Sequence, residues 1–336
     1  MNVVVPIRDF ASDAAPESVG KLSLGSEREI WADRRRFMER QGRHVSPDKT
    51  RPHWPSVLLG YGVLGFAWAA RLAGIHKRGR NNALAPDLVE LTFSFPDLPP
   101  AFDGYRILHV SDTHLDCLPD LADTAGRMVS GLEVDLVALT GDVHGRHRAP
   151  LKHSVEPLAR MLAGVVVRDR RLAVLGNHDP ADMAEELERI GYTMLINGST
   201  VLERKGQRIV VTGLDDVHRF YTAAATRALV EAPQGFRIAL VHSAEVADYA
   251  ESAGYALYLC GHTHGGQICL PYGRAVLTRL RRCHFGVAGE WRFGRLIGYT
   301  SRGLGISGAA LRYNCPGEMS VITLRRQGSE GKAAWS

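Results

Sequence analysis

The chain of 336 residues carries five short groups of aspartate, asparagine and histidine, and each group directly follows a short apolar run. The groups are SDTH at 111–114, GD at 141–142, GNHD at 176–179, His242, and GHTH at 261–264. The apolar runs before them have the length and composition of buried strands. Because the carboxyl ends of strands in a layered fold converge on a shared crevice, we expect these polar groups to meet at one edge.

The rest of the chain beyond residue 87 alternates between strand-like and helical patterns. The predicted strands are 88–95, 105–110, 136–140, 172–175, 209–212, 238–241, 256–260 and 296–300. The predicted helices are 118–132, 151–163, 181–190, 223–230 and 244–252. This alternation predicts a layered α/β architecture. The stretch 265–295 is rich in glycine and arginine, which predicts a long surface excursion.

The composition excludes some classes of protein. Five cysteines without a close pair argue against a disulfide framework or a zinc ribbon. A net charge of +5 suits an anionic substrate or an acidic membrane surface. No nucleic-acid partner is expected, and the sequence does not indicate an oligomeric state.

The N-terminal region divides into two parts. Residues 1–52 predict a polar tail, mobile or partly helical, and residues 53–76 are a candidate membrane anchor, with no charge from Trp54 to Ala70. The alternative is an apolar helix docked on the domain. The run RRRF at 34–37 fits a twin-arginine export pattern or, alternatively, a charged helix. The catalytic domain is predicted at 85–326 and a polar tail at 327–336.

The residue types of the five groups indicate a metal site. Carboxylate, imidazole and amide oxygen are donors that Mn, Fe and Zn accept. The two oxygens of a carboxylate such as Asp142 allow it to bridge two cations. Two cations about 3.5–4 Å apart can hold both the attacking and the leaving oxygen of a phosphoryl group. The five groups together therefore predict a dinuclear metal centre.

The order D-x-H, G-D, G-N-H-D, H, G-H-x-H resembles the calcineurin-like metallophosphoesterase superfamily over about residues 100–325. The runs CGHTHGGQICLP (260–271) and SRGLGISGAALRYNCPGE (301–318) are similar to one bacterial branch. That branch comprises membrane-associated or exported phosphodiesterases, some of which hydrolyse UDP-2,3-diacylglucosamine in lipid A biosynthesis. The resemblance implies a four-layer α/β sandwich, in which two mixed β-sheets are flanked by helices.

The resemblance also implies a role for each group. His178 would stabilise the transition state or protonate the leaving oxygen after attack by a metal-bridging hydroxide. The cofactor would be two divalent metal ions, among Mn, Fe, Zn and Mg, with Mn favoured. The implied ligands are Asp112, His114 and His264 for the first metal, Asn177, His242 and His262 for the second, and Asp142 as the bridge.

One position departs from the pattern of the superfamily. Many relatives carry an aspartate three residues after the bridging one, where it orients the catalytic histidine, and this chain has Gly145 there. The group that orients His178 is therefore open among His144, Asp179 and a backbone carbonyl.

Further residues are candidates for substrate contact. His144, Arg146 and His147 follow the bridging aspartate closely enough to reach a phosphate, or they form a solvated basic loop. Gly265, Gly266 and Gln267 follow the last ligand and could offer backbone N–H groups to an anion.

The predicted function is hydrolysis of a phosphodiester or pyrophosphate bond in a UDP-linked acylated sugar or another lipid-like substrate. The alternatives are a phosphodiesterase or phosphomonoesterase for a soluble nucleotide-like substrate, and a non-catalytic metal-stabilised scaffold. The predicted location is the bacterial inner membrane. Lysine and arginine are denser before residue 54 than after residue 75, which favours a catalytic domain on the outer side.

Overall fold

The computed structural model describes residues 27–41, 62, 65, 71–72, 74–146, 149–275 and 278–328. Most of the candidate anchor at 53–76, the candidate substrate residue His147 and nearly all of the C-terminal tail lie outside these ranges. Among the described helices, none combines the length and the apolar character needed to cross a bilayer. The membrane anchor therefore remains a prediction.

The described chain contains seven α-helices and twelve strands. The helices are α1 (Glu27–Gln41), α2 (His76–Ala83), α3 (Asp120–Val129), α4 (Lys152–Met161), α5 (Met183–Arg189), α6 (Ala223–Glu231) and α7 (Ala247–Ser252). The first six strands are β1 (Asp87–Phe95), β2 (Tyr105–Val110), β3 (Glu133–Thr140), β4 (Val166–Val174), β5 (Thr193–Met194) and β6 (Gly198–Arg204). The others are β7 (Gln207–Gly213), β8 (Phe236–Leu240), β9 (Leu257–Cys260), β10 (Gly289–Phe293), β11 (Leu296–Thr300) and β12 (Glu318–Arg326).

The strands form two six-stranded mixed sheets. The first has the order β1-β12-β2-β3-β4-β5 and the second the order β10-β11-β9-β8-β7-β6. Within the first sheet, β2 to β5 are parallel and β12 runs antiparallel to β2. Within the second, β7, β8, β9 and β11 are parallel, and the outer strands β6 and β10 are antiparallel to their neighbours.

Apolar side chains fill the space between the sheets and the space beneath the helices. Ile107 and Leu136 of the first sheet pack in one cluster with Ile238 and Leu259 of the second. The outer face of the first sheet packs on α3, α4 and α5, and that of the second sheet packs on α6 and α7. The predicted four-layer sandwich is confirmed, because each sheet buries one face on the other sheet and the opposite face on helices.

The sequence pattern located the strands that precede the polar groups and missed others. The predictions 105–110 and 296–300 coincide with β2 and β11. The sequence analysis does not predict the two-residue strand β5 or the strands β6, β10 and β12. β6 and β10 are edge strands with mixed burial, and β12 pairs with two strands more than 200 residues away in sequence. Their pairing therefore depends on tertiary contacts rather than on a local period.

Part of the predicted N-terminal tail is a helix docked on the domain. Trp31 of α1 packs against the cluster beneath the first sheet. Arg35 and Arg36, both within the run that resembles an export signal, make hydrogen bonds to residues between 176 and 215. The docked helix thus brings polar contacts to a loop that carries two predicted site residues.

Candidate metal centre

The seven predicted metal ligands come together at one edge of the sandwich, where strands of both sheets end. Five of them have left-handed backbone conformations, with positive φ at Asp112, His114, Asp142, His262 and His264. Such conformations are uncommon for residues other than glycine and cluster at functional sites. The strand-to-loop turns therefore aim these side chains at a common point.

Two glycines beside the ligands are required by close packing. A Cβ atom on Gly176 would lie 2.2 Å from Asp142 Oδ1, and one on Gly261 would lie 2.1 Å from Asp112 Oδ2. Both distances are far below van der Waals contact. The glycines in the GNH and GHTH runs thus allow the backbone to approach the two carboxylates directly.

The first group of ligands consists of Asp112, His114 and His264, whose ligand atoms all lie within 4.8 Å of one another. Asp112 Oδ2 accepts hydrogen bonds from Ser111 Oγ at 2.6 Å and from the N–H of His262 at 2.9 Å. These bonds leave Oδ1 facing His264 Nε2 at 3.3 Å. One oxygen of Asp112 is therefore held by the protein and the other faces the site.

The second group consists of Asp142, His242 and His262, and Asn177 adjoins it. His242 Nε2 lies 3.2 Å from Asn177 Oδ1 and 3.2 Å from His262 Nδ1. The imidazole Nδ1 of His242 lies 2.8 Å from the carbonyl of Thr140, to which it donates its proton. Nε2 is therefore the ring atom that faces Asn177 and His262, and it can bind a metal ion once its proton is lost.

Asp142 lies between the two groups. Its Oδ1 accepts from the N–H of His178 at 2.7 Å. Its Oδ2 lies 3.6 Å from His114 Nε2 of the first group and 3.4 Å from His242 Nε2 of the second. This placement suits the bridging role that the resemblance implied for Asp142.

The electrostatics of the buried cluster favour added positive charge. Burial lowers the pKa of His242, but the charges of Asp142 and Asp112 outweigh burial and raise it to about 10. Burial raises the pKa of Asp112, and the charge of Asp142 adds to that effect. Two buried carboxylates and converging imidazole lone pairs are a donor set for divalent cations. The residues present therefore fit two metal ions, one at each group.

Backbone carbonyls orient two of the histidine ligands. His114 Nδ1 lies 2.9 Å from the carbonyl of His144, and His242 Nδ1 is bonded to Thr140 in the same way. A ligand histidine that donates from one nitrogen presents the other to a metal in a defined orientation. The end of β3 and the loop after it supply these carbonyls, so this segment supports the centre as well as carrying Asp142.

His178 lies in the wall of the centre. It is half-buried, and its ring is perpendicular to that of His114 with the centroids 5.3 Å apart. The carboxylate of Asp179 accepts from the N–H groups of Gly176 and His144, each at 2.9 Å, so it braces the loop rather than the ring. The orienting group of His178 therefore stays open.

A side chain at position 145 does not fit beside this centre. A Cβ atom on Gly145 would lie 2.4 Å from Cys117 Sγ and 3.3 Å from Asp116 Oδ1. Asp116 accepts hydrogen bonds from the N–H groups of Gly145 and Arg146, both at 2.8 Å. Burial raises the pKa of Asp116, but these bonds and the nearby His144 outweigh it and lower the pKa. A carboxylate from the loop after β2 thus lies close to the place of the missing aspartate.

The candidates for substrate contact at 144–147 differ in whether they reach the cavity beside the metal centre. His144 is buried, its Nδ1 bonded to Ser154 Oγ at 2.9 Å, and it supports the loop instead of facing the cavity. Arg146 is exposed and does not line the cavity, and His147 lies outside the described residues.

The backbone N–H groups of residues 265–267 are already used within their turn. That of Gly265 donates to Thr263 Oγ1, that of Gly266 to the Thr263 carbonyl, and that of Gln267 to the His264 carbonyl. We correct the expectation that these groups are available to an anion. Gly266 and Gln267 nevertheless line the cavity beside the metal centre.

A cavity of about 610 Å³ adjoins the metal centre. One end is formed by metal ligands and His178, and the wall beyond them carries Ile268, Leu270 and Tyr313. Arg279 also lines it, is solvent-exposed, and makes no hydrogen bond or salt bridge to any residue in the described ranges. Partial exclusion of water and the charge of Arg219 lower the pKa of Arg279. The sequence reading missed this arginine, since it lies in a loop without strand or helix periodicity.

Comparisons with known proteins agree with the geometry. Residues 105–266 match the family model described as calcineurin-like phosphoesterase. The chain is 29% identical over 280 residues to the uncharacterized metallophosphoesterase YkuE of Bacillus subtilis, covering 79% of this chain and 95% of that protein. It is 27% identical over 233 residues to the phosphodiesterase YaeI of Escherichia coli. That alignment covers 66% of this chain and 82% of YaeI. It is also 28% identical over 274 residues to a transmembrane protein with metallophosphoesterase domain of Danio rerio. That alignment covers 73% of this chain and 59% of the Danio rerio protein.

Replacing Asp142 with alanine should remove both metal and turnover, because both groups lose the shared carboxylate. Replacing His178 with alanine should keep two metals per chain and lower kcat by ~10²–10⁴, as for loss of an acid–base group. Metal content after gel filtration and turnover of a chromogenic diester check both variants. Near-normal turnover by Asp142→Ala, or loss of metal by His178→Ala, contradicts the assignment.

Introducing the aspartate that many relatives carry, by Gly145→Asp, should not improve this enzyme. The added Cβ clashes with Cys117 and its carboxylate approaches Asp116, so we expect ~1–3 kcal/mol of destabilisation, as for overpacking, and no gain in kcat. The double variant Gly145→Asp/Cys117→Ala should recover part of the lost stability. Chemical denaturation measures both, and a stable Gly145→Asp protein with raised kcat would refute this account.

Proposed function

We propose that this metal-dependent phosphoester hydrolase, whose residues 105–266 match the calcineurin-like phosphoesterase model, cleaves a phosphodiester or pyrophosphate bond in an amphiphilic substrate. The observation that carries the proposal is the cavity that joins the metal ligands and His178 to an apolar wall. A phosphoryl group at the ligands would place the adjoining part of the substrate along that wall.

The residues of the centre have separate tasks in this proposal. One metal ion would be held by Asp112, His114 and His264. The other would be held by Asn177, His242 and His262. Asp142 would contact both ions. Two divalent ions there would polarise the phosphoryl oxygens and lower the pKa of an attacking water. The carbonyls of Thr140 and His144 keep the imidazole rings turned toward that point.

His178 is the residue proposed to act on the leaving oxygen. It belongs to the cavity wall, whereas the ligand histidines around it are buried. The hydrogen bond from its N–H to Asp142 ties its position to the bridging carboxylate. A protonated imidazole there would donate its proton to the departing oxygen or stabilise charge on the phosphoryl group.

The cavity wall supports a substrate with both charge and apolar surface. Ile268 and Leu270 provide apolar contacts, and Arg279 provides a cation that forms no salt bridge with a described residue, although the charge of Asp142 acts on it. A guanidinium beside a phosphoryl site favours phosphate oxygens, which it can contact with two N–H groups. A UDP-linked acylated sugar has the combination of features that these residues accommodate.

A membrane-associated location is part of the same proposal. The apolar run before residue 76 and the similarity to relatives named as transmembrane proteins support it. An anchored enzyme would meet an amphiphilic substrate at the bilayer, where the substrate is concentrated. A soluble nucleotide-like substrate is the alternative that the next experiment distinguishes.

Diesters with a longer alkyl group should be better substrates. We compare p-nitrophenyl phosphodiesters with ethyl and octyl groups below the concentration at which they aggregate. Each buried methylene contributes about 0.8 kcal/mol, so burial of even part of the chain should raise kcat/KM at least ~10-fold. Leu270→Ser should reduce that preference, whereas Val230→Ser, at an exposed apolar position on α6, should not. Equal kcat/KM for both diesters would favour the soluble-substrate alternative.

Arg279→Gln should lower kcat/KM for the same diesters. A hydrogen bond to a charged group contributes ~1.5–3 kcal/mol, which corresponds to a loss of roughly 10–100-fold. Arg274→Gln is the matched control, because Arg274 is exposed in the same excursion but does not line the cavity. An unchanged kcat/KM for Arg279→Gln would remove this residue from the proposed substrate site.

A further inference from the structure

Helix α1 reaches the loop that carries Asn177 and His178 through a fully buried arginine. The side chain of Arg35 is 0% exposed. Its Nη2 donates to the carbonyls of Gly176 and Asp179, each at 2.8 Å. These two carbonyls bracket Asn177 and His178, so one guanidinium holds both ends of the loop.

The charge of Arg35 is fully accommodated in this position. Its Nη1 forms a salt bridge with Asp215, whose other oxygen accepts from Trp31 Nε1 at 2.7 Å. Its guanidinium carbon lies 4.1 Å from the centroid of Phe220. A buried charge is tolerated only when it is paired and hydrogen-bonded, so the guanidinium has little freedom to move.

The partner of Arg35 belongs to the other side of the metal centre. Asp215 follows β7 of the second sheet, and its neighbour Asp216 accepts from the N–H groups of His218 and Arg219 at 3.1 and 2.7 Å. The ring of His218 packs on that of His262, with centroids 4.2 Å apart. Arg35 therefore connects the Asn177 loop of the first sheet to the segment that packs on a ligand of the second.

We propose that Arg35 is a positioning residue for the second metal ion, the one assigned to Asn177, His242 and His262. By holding the Gly176–Asp179 loop against Asp215, it sets the distance between Asn177 and the two histidines. Among the described residues, no hydrogen bond or salt bridge joins α1 to the first group, Asp112, His114 and His264, whose polar partners lie elsewhere. The inference rests on the metal pair of the proposed function and predicts that the two sites respond differently.

The test is a titration of metal-free, full-length protein with Mn²⁺, which reads metal binding independently of turnover. Arg35→Lys keeps the charge but cannot reach both carbonyls and Asp215 with a planar fork. We expect the Kd of one of the two sites to rise at least ~10-fold, as for loss of an outer-shell partner, and that of the other site to stay within about twofold. Arg34→Lys is the matched control, because Arg34 is the preceding, exposed residue of the same helix.

Two further measurements separate loss of positioning from loss of folding. Trp31→Phe removes the hydrogen bond to Asp215, keeps an aromatic ring on the cluster beneath the first sheet, and should weaken the same site in the same direction. Thermal unfolding of the metal-free proteins shows whether each variant is folded. Unchanged affinity at both sites in folded Arg35→Lys, or equal weakening of both sites, overturns the inference. If the parent protein itself binds fewer than two Mn²⁺ ions, the metal pair of the proposed function fails instead.

Discussion

Buried carboxylates and histidine nitrogens are crowded together at the edge where the two sheets meet, and the surrounding loops and helices are arranged around them. Asp112 and Asp142 are almost completely buried, and oriented histidine nitrogens converge on their free oxygens. Such a cluster is costly unless cations occupy it. Asp112, Asp142 and Asn177 follow strands of the first sheet, while His242, His262 and His264 follow strands of the second. Bound metal would therefore also stabilise the contact between the sheets.

The polar groups around the ligands limit the freedom of that cluster. Carbonyls of Thr140 and His144 select the tautomers of His242 and His114, and the Asp179 carboxylate braces the Gly176–Asp179 loop from within. Arg35 holds the same loop from outside. Left-handed backbone at five ligands implies strain that these contacts must offset. The support comes from residues that never face the substrate cavity.

Two arginines show how differently the same side chain is used. Arg35 is buried among carbonyls, a carboxylate and an aromatic ring, whereas Arg279 is solvent-exposed on the cavity wall without an acidic partner among described residues. The first arrangement maintains geometry, and the second leaves a charge available to an anionic substrate. The apolar side chains Ile268 and Leu270 share the wall with Arg279, so the proposed substrate contacts and the metal ligands belong to different segments of the chain.

The chemistry of the centre was predictable from the residue types and their order. The ligand types and their places after apolar strands predicted a dinuclear metal centre, because strand periodicity is local and parallel strands end at one edge. The resemblance to the calcineurin-like superfamily implied the two ligand groups and the bridging role of Asp142. Which other residues serve that centre depends on contacts that form only in the folded chain. Asp116 lies near the place of the aspartate absent at Gly145, the side chain of Gln267 donates to the carbonyl of Ser307, and Arg35 contacts residues more than 140 positions away. The residues next to an arginine in a charged helix do not reveal whether its side chain is solvated or buried. The packing of distant strands and loops brings its partners to it, and that packing is not encoded in the local sequence.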